Sequence, residues 1–116
     1  MPAPAAVSSG ELTQKHCVPC EGGTPKLEGE ALRRYAGALP DWSVEGDRLK
    51  RSFRFRAFVD AIDFVNRVAE LSEREGHHPD FSVHYSRVDF EIWTHAIGGL
   101  SENDFVLAAK IDALMS

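Results

Sequence analysis

The chain has 116 residues, enough for one domain with one core and too few for two. Apolar residues make up 43% and charged residues 27%, the balance of a globular domain in water, and no apolar run approaches the ~20 residues that a membrane helix requires. A formal net charge of −5 argues against nucleic acid as the main partner, and two cysteines three positions apart, Cys17 and Cys20, cannot staple a core.

Residues 1–10 (MPAPAAVSSG) carry almost no bulky side chain and cannot offset the entropy of ordering, so they read as a disordered tail. They lack the basic start and long apolar stretch of a secretory signal, which makes the cytoplasm the default location. Two Pro and adjacent Gly in residues 16–27 (HCVPCEGGTPKL) mark a loop. The expected division is a flexible tail and Cys/Gly/Pro loop over 1–26 and a folded domain over 27–116.

A helix is predicted from about Glu28 to Leu39, where Leu32, Tyr35, Ala36 and Leu39 recur at helical spacing and Pro40 ends the run. A hairpin follows, with Trp42 and Val44 alternating, Glu45-Gly46-Asp47 turning, and Leu49 to Phe55 resuming the alternation. Leu49, Arg51, Phe53 and Phe55 share one face of the second strand. Arg48, Lys50, Ser52, Arg54 and Arg56 share the other. A long helix is predicted from about Ala57 to Glu75, with Phe58, Ile62, Val65, Val68 and Ala69 on one stripe and Gly76 placed to cap it. Pro79 then favours extended backbone before it. In a second hairpin Phe81, Val83 and Tyr85 alternate, Ser86-Arg87 turns, and Val88, Phe90, Ile92 and Thr94 alternate again. Gly98-Gly99 breaks the chain, and a last helix begins at Ser101 and reaches about Leu114. The order α-β-β-α-β-β-α argues for an α+β fold, a four-stranded antiparallel sheet with three helices on one face.

Four of the five histidines, His77, His78, His84 and His95, fall between positions 77 and 95. Imidazole exchanges a proton near neutral pH, and its unperturbed pKa is about 6.5. His77 and His78 follow a helix, Glu73 is four positions before His77, and His95 ends a strand beside a loop. The plainer reading is that such a histidine pair caps carbonyls or meets solvent. Zinc is disfavoured, since adjacent residues rarely reach one metal and no common zinc spacing is present. Ser101-Glu102-Asn103-Asp104 fits a capping box, with Leu100 and Phe105 as its hydrophobic staple; a carboxylate there could also orient a histidine or contact a substrate amine. His16 and Cys17-x-x-Cys20 could ligate a metal or form a redox pair, but with no fourth ligand evident they read as solvated loop residues. The basic strand face at Arg48, Lys50, Arg54 and Arg56 could meet an anion, though such a face is more often the wet side of a sheet.

Glu73-x-x-x-His77-His78-Pro79, Tyr85, Val88, Thr94-His95, Gly99-Leu100-Ser101-x-x-Asp104, Ala108 and Ile111-Asp112 together resemble the signature of the pterin-4a-carbinolamine dehydratases. The resemblance spans about Leu27 to Leu114 and includes Trp42, and the loop from Cys17 to Pro25 is similar to a segment of bacterial members. The sequence departs from the animal pattern at Asp80-Phe81, where Glu-Trp is common, and at Trp93, where a small residue is common. These changes bear on substrate preference more than on the reaction.

The resemblance implies a hydro-lyase that dehydrates a 4a-hydroxytetrahydropterin, the product of an aromatic amino-acid hydroxylase, to the quinonoid dihydropterin in tetrahydrobiopterin recycling. It implies no metal and no organic cofactor. His77, His78 and His95 would line the pterin pocket, with proton transfer assigned to His77 and His95 and substrate holding mainly to His78. Asp104 would hold the site or the pterin, Glu73 would support His77, and Thr94 belongs to the same motif. His84 matches no motif position. The family also implies a homodimer or homotetramer joined through edge strands, and its members are known as dimerisation cofactors of a hepatocyte transcription factor. Two rivals follow: a non-catalytic assembly module, and a dehydratase for another pterin such as a molybdopterin-related one. A pure scaffold would have no reason to keep Glu73, His77, His78, His95 and Asp104 together.

Overall fold

A computed structural model describes residues 7–18 and 25–115. Most of the expected tail (1–6), and Cys20 with Gly22 and Gly23 of the expected loop, lie outside the described residues. The elements are α1 (Ser9–Gln14), α2 (Gly29–Ala38), β1 (Ser43–Glu45), β2 (Arg48–Arg54), α3 (Phe58–Glu75), β3 (Asp80–His84), β4 (Arg87–Ile92), a 3-10 turn (His95–Ile97) and α4 (Glu102–Ala113). The sheet is antiparallel throughout, in the order β1-β2-β4-β3. The α+β class and the order of the elements from α2 onward are as the hydrophobic pattern predicts.

Alternation places Leu49 and Phe53 of β2 and Val88, Phe90 and Ile92 of β4 on the buried face. Phe53, Phe64 of α3 and Phe90 meet there, with ring centroids 5.0–6.0 Å apart in tilted and edge-on pairs. Arg51 shares that face and reaches α4, donating to Asp112 Oδ1 at 2.6 Å, where Trp42 Nε1–H also donates at 2.8 Å. On the open face the basic strand meets an acidic one. The register sets Lys50 opposite Glu91, Arg48 pairs with Glu91, and Ser52 donates to Asp89 at 2.6 Å. Neighbouring carboxylates thus already oppose Arg48 and Lys50, two of the four positive charges read as a candidate anion surface.

Two turns differ from expectation. The second hairpin turns at Tyr85-Ser86 rather than Ser86-Arg87, because His84 pairs with Arg87 and Tyr85 takes a φ of 56°. Tyr85 therefore leaves the strand and is exposed. The chain also carries a helix in the segment read as tail and loop. Ser8 Oγ accepts the Glu11 N–H at 3.1 Å to start α1, and Leu12 is fully buried. Six residues cannot hold a helix alone. The reason for α1 lies in α4, where Asn103 to Ala109 and Ile111 are all buried. A helix covered on every side needs neighbours on every side. The sheet, α2 and α3 leave one flank, and α1 packs on it.

The chain then runs from α1 along the ends of α3 and α4. Lys15 Nζ reaches Glu102 at 3.0 Å. Glu75 Oε1 accepts the Cys17 N–H at 2.8 Å, while its Oε2 meets Lys110 Nζ at 2.9 Å and His16 Nδ1 at 3.4 Å. Val18 N–H donates to Asn103 Oδ1 at 3.0 Å, and Asn103 Nδ2 donates back to the Val18 carbonyl at 2.8 Å. Cys17 is half-buried, with Sγ 3.6 Å from the Asn103 carbonyl, and so is not the solvated cysteine that its loop suggests. Burial opposes charge on Glu75, but the Cys17 N–H, Lys110 and His16 outweigh it and hold the carboxyl at about 2, against an ordinary 4.5. A depressed carboxylate stabilises the fold above its unfolded value and ceases to do so as pH falls through its folded one. The stability advantage of wild type over Glu75→Gln should therefore be complete above pH 4.5 and shrink toward pH 2. Urea unfolding of both proteins across that window checks it, and a difference independent of pH would contradict it.

Candidate active site

The long helix α3 ends at Gly76, whose φ of 65° is left-handed, a conformation open to glycine at little cost. That reversal swings the next residue away from the α3 axis and toward the start of α4. His77 is buried, only 8% exposed, and its Nε2 lies 2.6 Å from Asp104 Oδ1. The expected Glu73–His77 pairing is not formed. Glu73 instead meets His78, with Oε2 2.6 Å from Nε2, and both side chains are mostly exposed. The spacing rule that linked Glu73 to His77 holds within a helix, and Gly76 has ended the helix before His77.

Asp104 is fully buried in the first turn of α4. Its Oδ2 accepts the Ser101 backbone N–H and the Thr94 hydroxyl, both at 2.8 Å. The predicted capping box is present, so one carboxylate caps a helix and holds a histidine. The donors have a fixed direction. A carboxylate only accepts, so Thr94 Oγ1 spends its hydrogen on Asp104, and Ser101 Oγ, 2.8 Å away, must donate to Thr94. By the same logic His77 carries a proton on Nε2, and in the neutral ring Nδ1 is the accepting nitrogen. Among the described residues no buried side-chain polar atom lacks a partner.

Thr94 also anchors the neighbouring loop, bridging Gly99 through backbone bonds. His95 follows it, exposed at the start of the 3-10 turn. Its ring stacks on Trp93, with centroids 4.3 Å apart and planes 14° from parallel. The Arg48 guanidinium covers Trp93 4.0 Å from the ring centroid. Continuing the β2–β4 register sets Arg48 opposite Trp93, and positions 93 and 95 lie two apart, the spacing of one strand face. That two-residue spacing is the signal in the sequence for this stack. Ser101 orients Thr94 in addition to its expected role as a cap.

The structure thus gathers His77, Asp104, Thr94 and Ser101 into one buried network, with His95 next to Thr94 and His78 next to His77 in the chain. His84 is elsewhere, on β3, within 2.9 Å of Ser82. Among the described residues no group of three or more His, Cys, Asp or Glu side chains is arranged to hold a metal ion. No helix among them is long and apolar enough to cross a membrane. A concavity of about 610 Å³ opens over the sheet between Asp41, Lys50, Asp80 and Phe81, and none of the histidines lines it. Imidazoles, one held in a set tautomer and two open to solvent, can accept and donate protons to a small molecule near neutral pH.

The profile of the family described as Pterin 4 alpha carbinolamine dehydratase matches residues 25–114. A protein of Rubrobacter xylanophilus, provisionally named pterin-4-alpha-carbinolamine dehydratase, is 54% identical over 105 residues, 90% of this chain and 98% of its own. One of Halorhodospira halophila with the same provisional name is 48% identical, over 89% and 96%. The solved structure of a transcriptional coactivator/pterin dehydratase from Brucella melitensis aligns with a TM-score of 0.75 and 32% identity, covering 79% of this chain and all of that one. A pterin dehydratase-like protein described as a RuBisCO assembly factor of the alpha-carboxysome aligns at 0.54 and 26%, covering 63% of this chain and 84% of that one.

Proposed function

Because the chain belongs to the pterin-4a-carbinolamine dehydratase family, we propose that it eliminates water from a 4a-hydroxytetrahydropterin by histidine acid–base catalysis. The observation that carries this reading is the buried Asp104, which fixes the His77 tautomer through one oxygen while Thr94 and Ser101 fix the other. In the reaction a ring-nitrogen proton leaves, the C4a–O bond breaks, a C=N bond forms, and the hydroxyl departs as water after gaining a proton. One imidazole takes the first proton and another supplies the second. We assign these transfers to His77 and His95, and hold His78, backed by Glu73, to be the main contact that retains the pterin. Each transfer is worth about 10²–10⁴-fold.

Trp93 sets the plane of His95 and so belongs to this reading. Trp93→Leu should remove the platform, lower kcat about tenfold through misorientation, and shift the His95 ring protons downfield as the indole ring current is lost. Trp93→Phe should retain most of both. Unchanged resonances in Trp93→Leu would show that the stack does not hold in solution.

We place the protein in tetrahydrobiopterin recycling in the cytoplasm, as a homodimer or homotetramer. The edge of β3, unpaired among the described residues and beside half-exposed Phe81, supports pairing between copies. Every residue assigned to the site falls within 27–116. Dehydration is tested by stopped-flow ultraviolet absorbance with chemically generated 4a-hydroxytetrahydropterin. Loss of the carbinolamine well above its spontaneous rate supports the reading, and a rate equal to buffer overturns it.

A further inference from the structure

Residues 15–18 lie outside the stretch 25–114 that the family profile matches, yet they dock on the two positions that flank the buried pair. Glu75 is the last residue of α3, two before His77; Asn103 immediately precedes Asp104. Asn103 is buried, 4% exposed, and Glu75 is half-buried with its side chain only 5% exposed. Cys17 grips the first through its backbone N–H, and Val18 grips the second through both its N–H and its carbonyl. We propose that this segment is a clasp that positions the His77–Asp104 pair, with Glu75 and Asn103 as positioning residues for the dehydration.

His77 hangs from the C-terminal end of α3, and Asp104 from the N-terminal turn of α4. Helix ends are the parts that fray and open first. The 2.6 Å contact between the two side chains therefore depends on how the two helix ends are spaced. Cys17 and Val18 are adjacent residues, about 3.8 Å apart at Cα across a rigid trans peptide. By holding one helix end each, they fix the spacing between those ends with a single planar unit. Lys110, which joins α4 to Glu75 at 2.9 Å, and Lys15, which joins the segment to Glu102 at 3.0 Å, brace the same junction from either side. The contacts to Val18 are backbone contacts, and its side chain is exposed, so the clasp needs a peptide N–H there and not a particular side chain.

The inference rests on the proposed role of His77, and the test separates the two. Full-length Val18→Pro removes the N–H that Asn103 accepts, Val18→Ala keeps it, and Asn103→Ala removes the other partner. The readouts are kcat and KM for the pterin carbinolamine, the downfield proton resonance of the His77 ring N–H, and the thermal midpoint. Val18→Pro and Asn103→Ala should each lower kcat about tenfold, with KM within about twofold of wild type, while the His77 resonance broadens or moves upfield. Val18→Ala should match wild type in all three. A wild-type kcat and resonance in Val18→Pro would overturn the clasp. So would a loss of kcat in proportion to the fraction unfolded, since that is a merely structural effect. If the wild type itself fails to dehydrate the substrate, the functional reading falls, while the His77 resonance still decides whether the clasp positions the pair.

Discussion

His77→Ala is expected to lose about 10²–10⁴ of the dehydration rate, the worth of one positioned proton transfer, while the fold persists. The fold should survive because the other bonds to Asp104 do not pass through the His77 ring. Without the ring, Asp104 still accepts Ser101 N–H and the Thr94 hydroxyl, and the capping box stays closed. Circular dichroism should show wild-type secondary structure, and stopped-flow kinetics the loss. His95→Ala, at an exposed ring that supports nothing buried, should lose activity on a similar scale with a still smaller change in stability. Wild-type rates in both variants would remove the histidines from the mechanism.

Asp104→Ala should behave differently, because it damages activity and stability together. It strips the acceptor from three buried donors at once: His77 Nε2–H, Thr94 Oγ1–H and Ser101 N–H. Each donor left unmet in a buried position costs about 1–3 kcal/mol, so a total of about 3 kcal/mol or more is expected after partial relaxation. In a domain of this size that lowers the midpoint of thermal unfolding by about 10 °C or more. Asp104→Asn preserves the shape but points an amide N–H₂ at one of those donors, and should recover only part of the loss. Calorimetry of the three proteins, with kinetics at a temperature where all are folded, checks both effects. A Asp104→Ala variant as stable as wild type would mean that the network carries little of the fold.

The sheet and the three main helices are legible in the sequence because their signals are local. Alternation in Leu49–Phe55 and Val88–Ile92, the apolar stripe of α3, and the Gly76 and Ser101 caps each act within a few residues. The tight turn at Tyr85 was not legible, since a bulky residue at positive φ runs against local preference and is set by the pairing of His84 with Arg87. Neither was α1. Its case rests on an uncovered flank of α4, about 90 positions along the chain, and not on its own composition. At the site, the histidines and Asp104 could be picked out by type and spacing, but their partners could not. Glu73 meets His78 and not the expected His77, because the helical spacing rule does not extend to a residue two past the end of α3. The Trp93–His95 stack and the grip of Glu75 and Asn103 on residues 17 and 18 depend on distances that a linear pattern does not contain.

Asp104 is at once a helix cap, a buried hub and the partner of His77, and this has a consequence for how descent should be read in this fold. A chain that gave up dehydration would still be selected to keep Asp104, Ser101 and Thr94, because losing them would destabilise it. Their presence in a distant copy is thus no sign of catalysis. His95 and His78 are under no such obligation, since they are exposed and their partners, Trp93 and Glu73, lie outside the buried network. Freed from the reaction they would drift to whatever residue chance supplied. On the proposed assignment, the exposed imidazoles, and not the buried carboxylate, would be the marks by which a working enzyme of this architecture is told from a retired one.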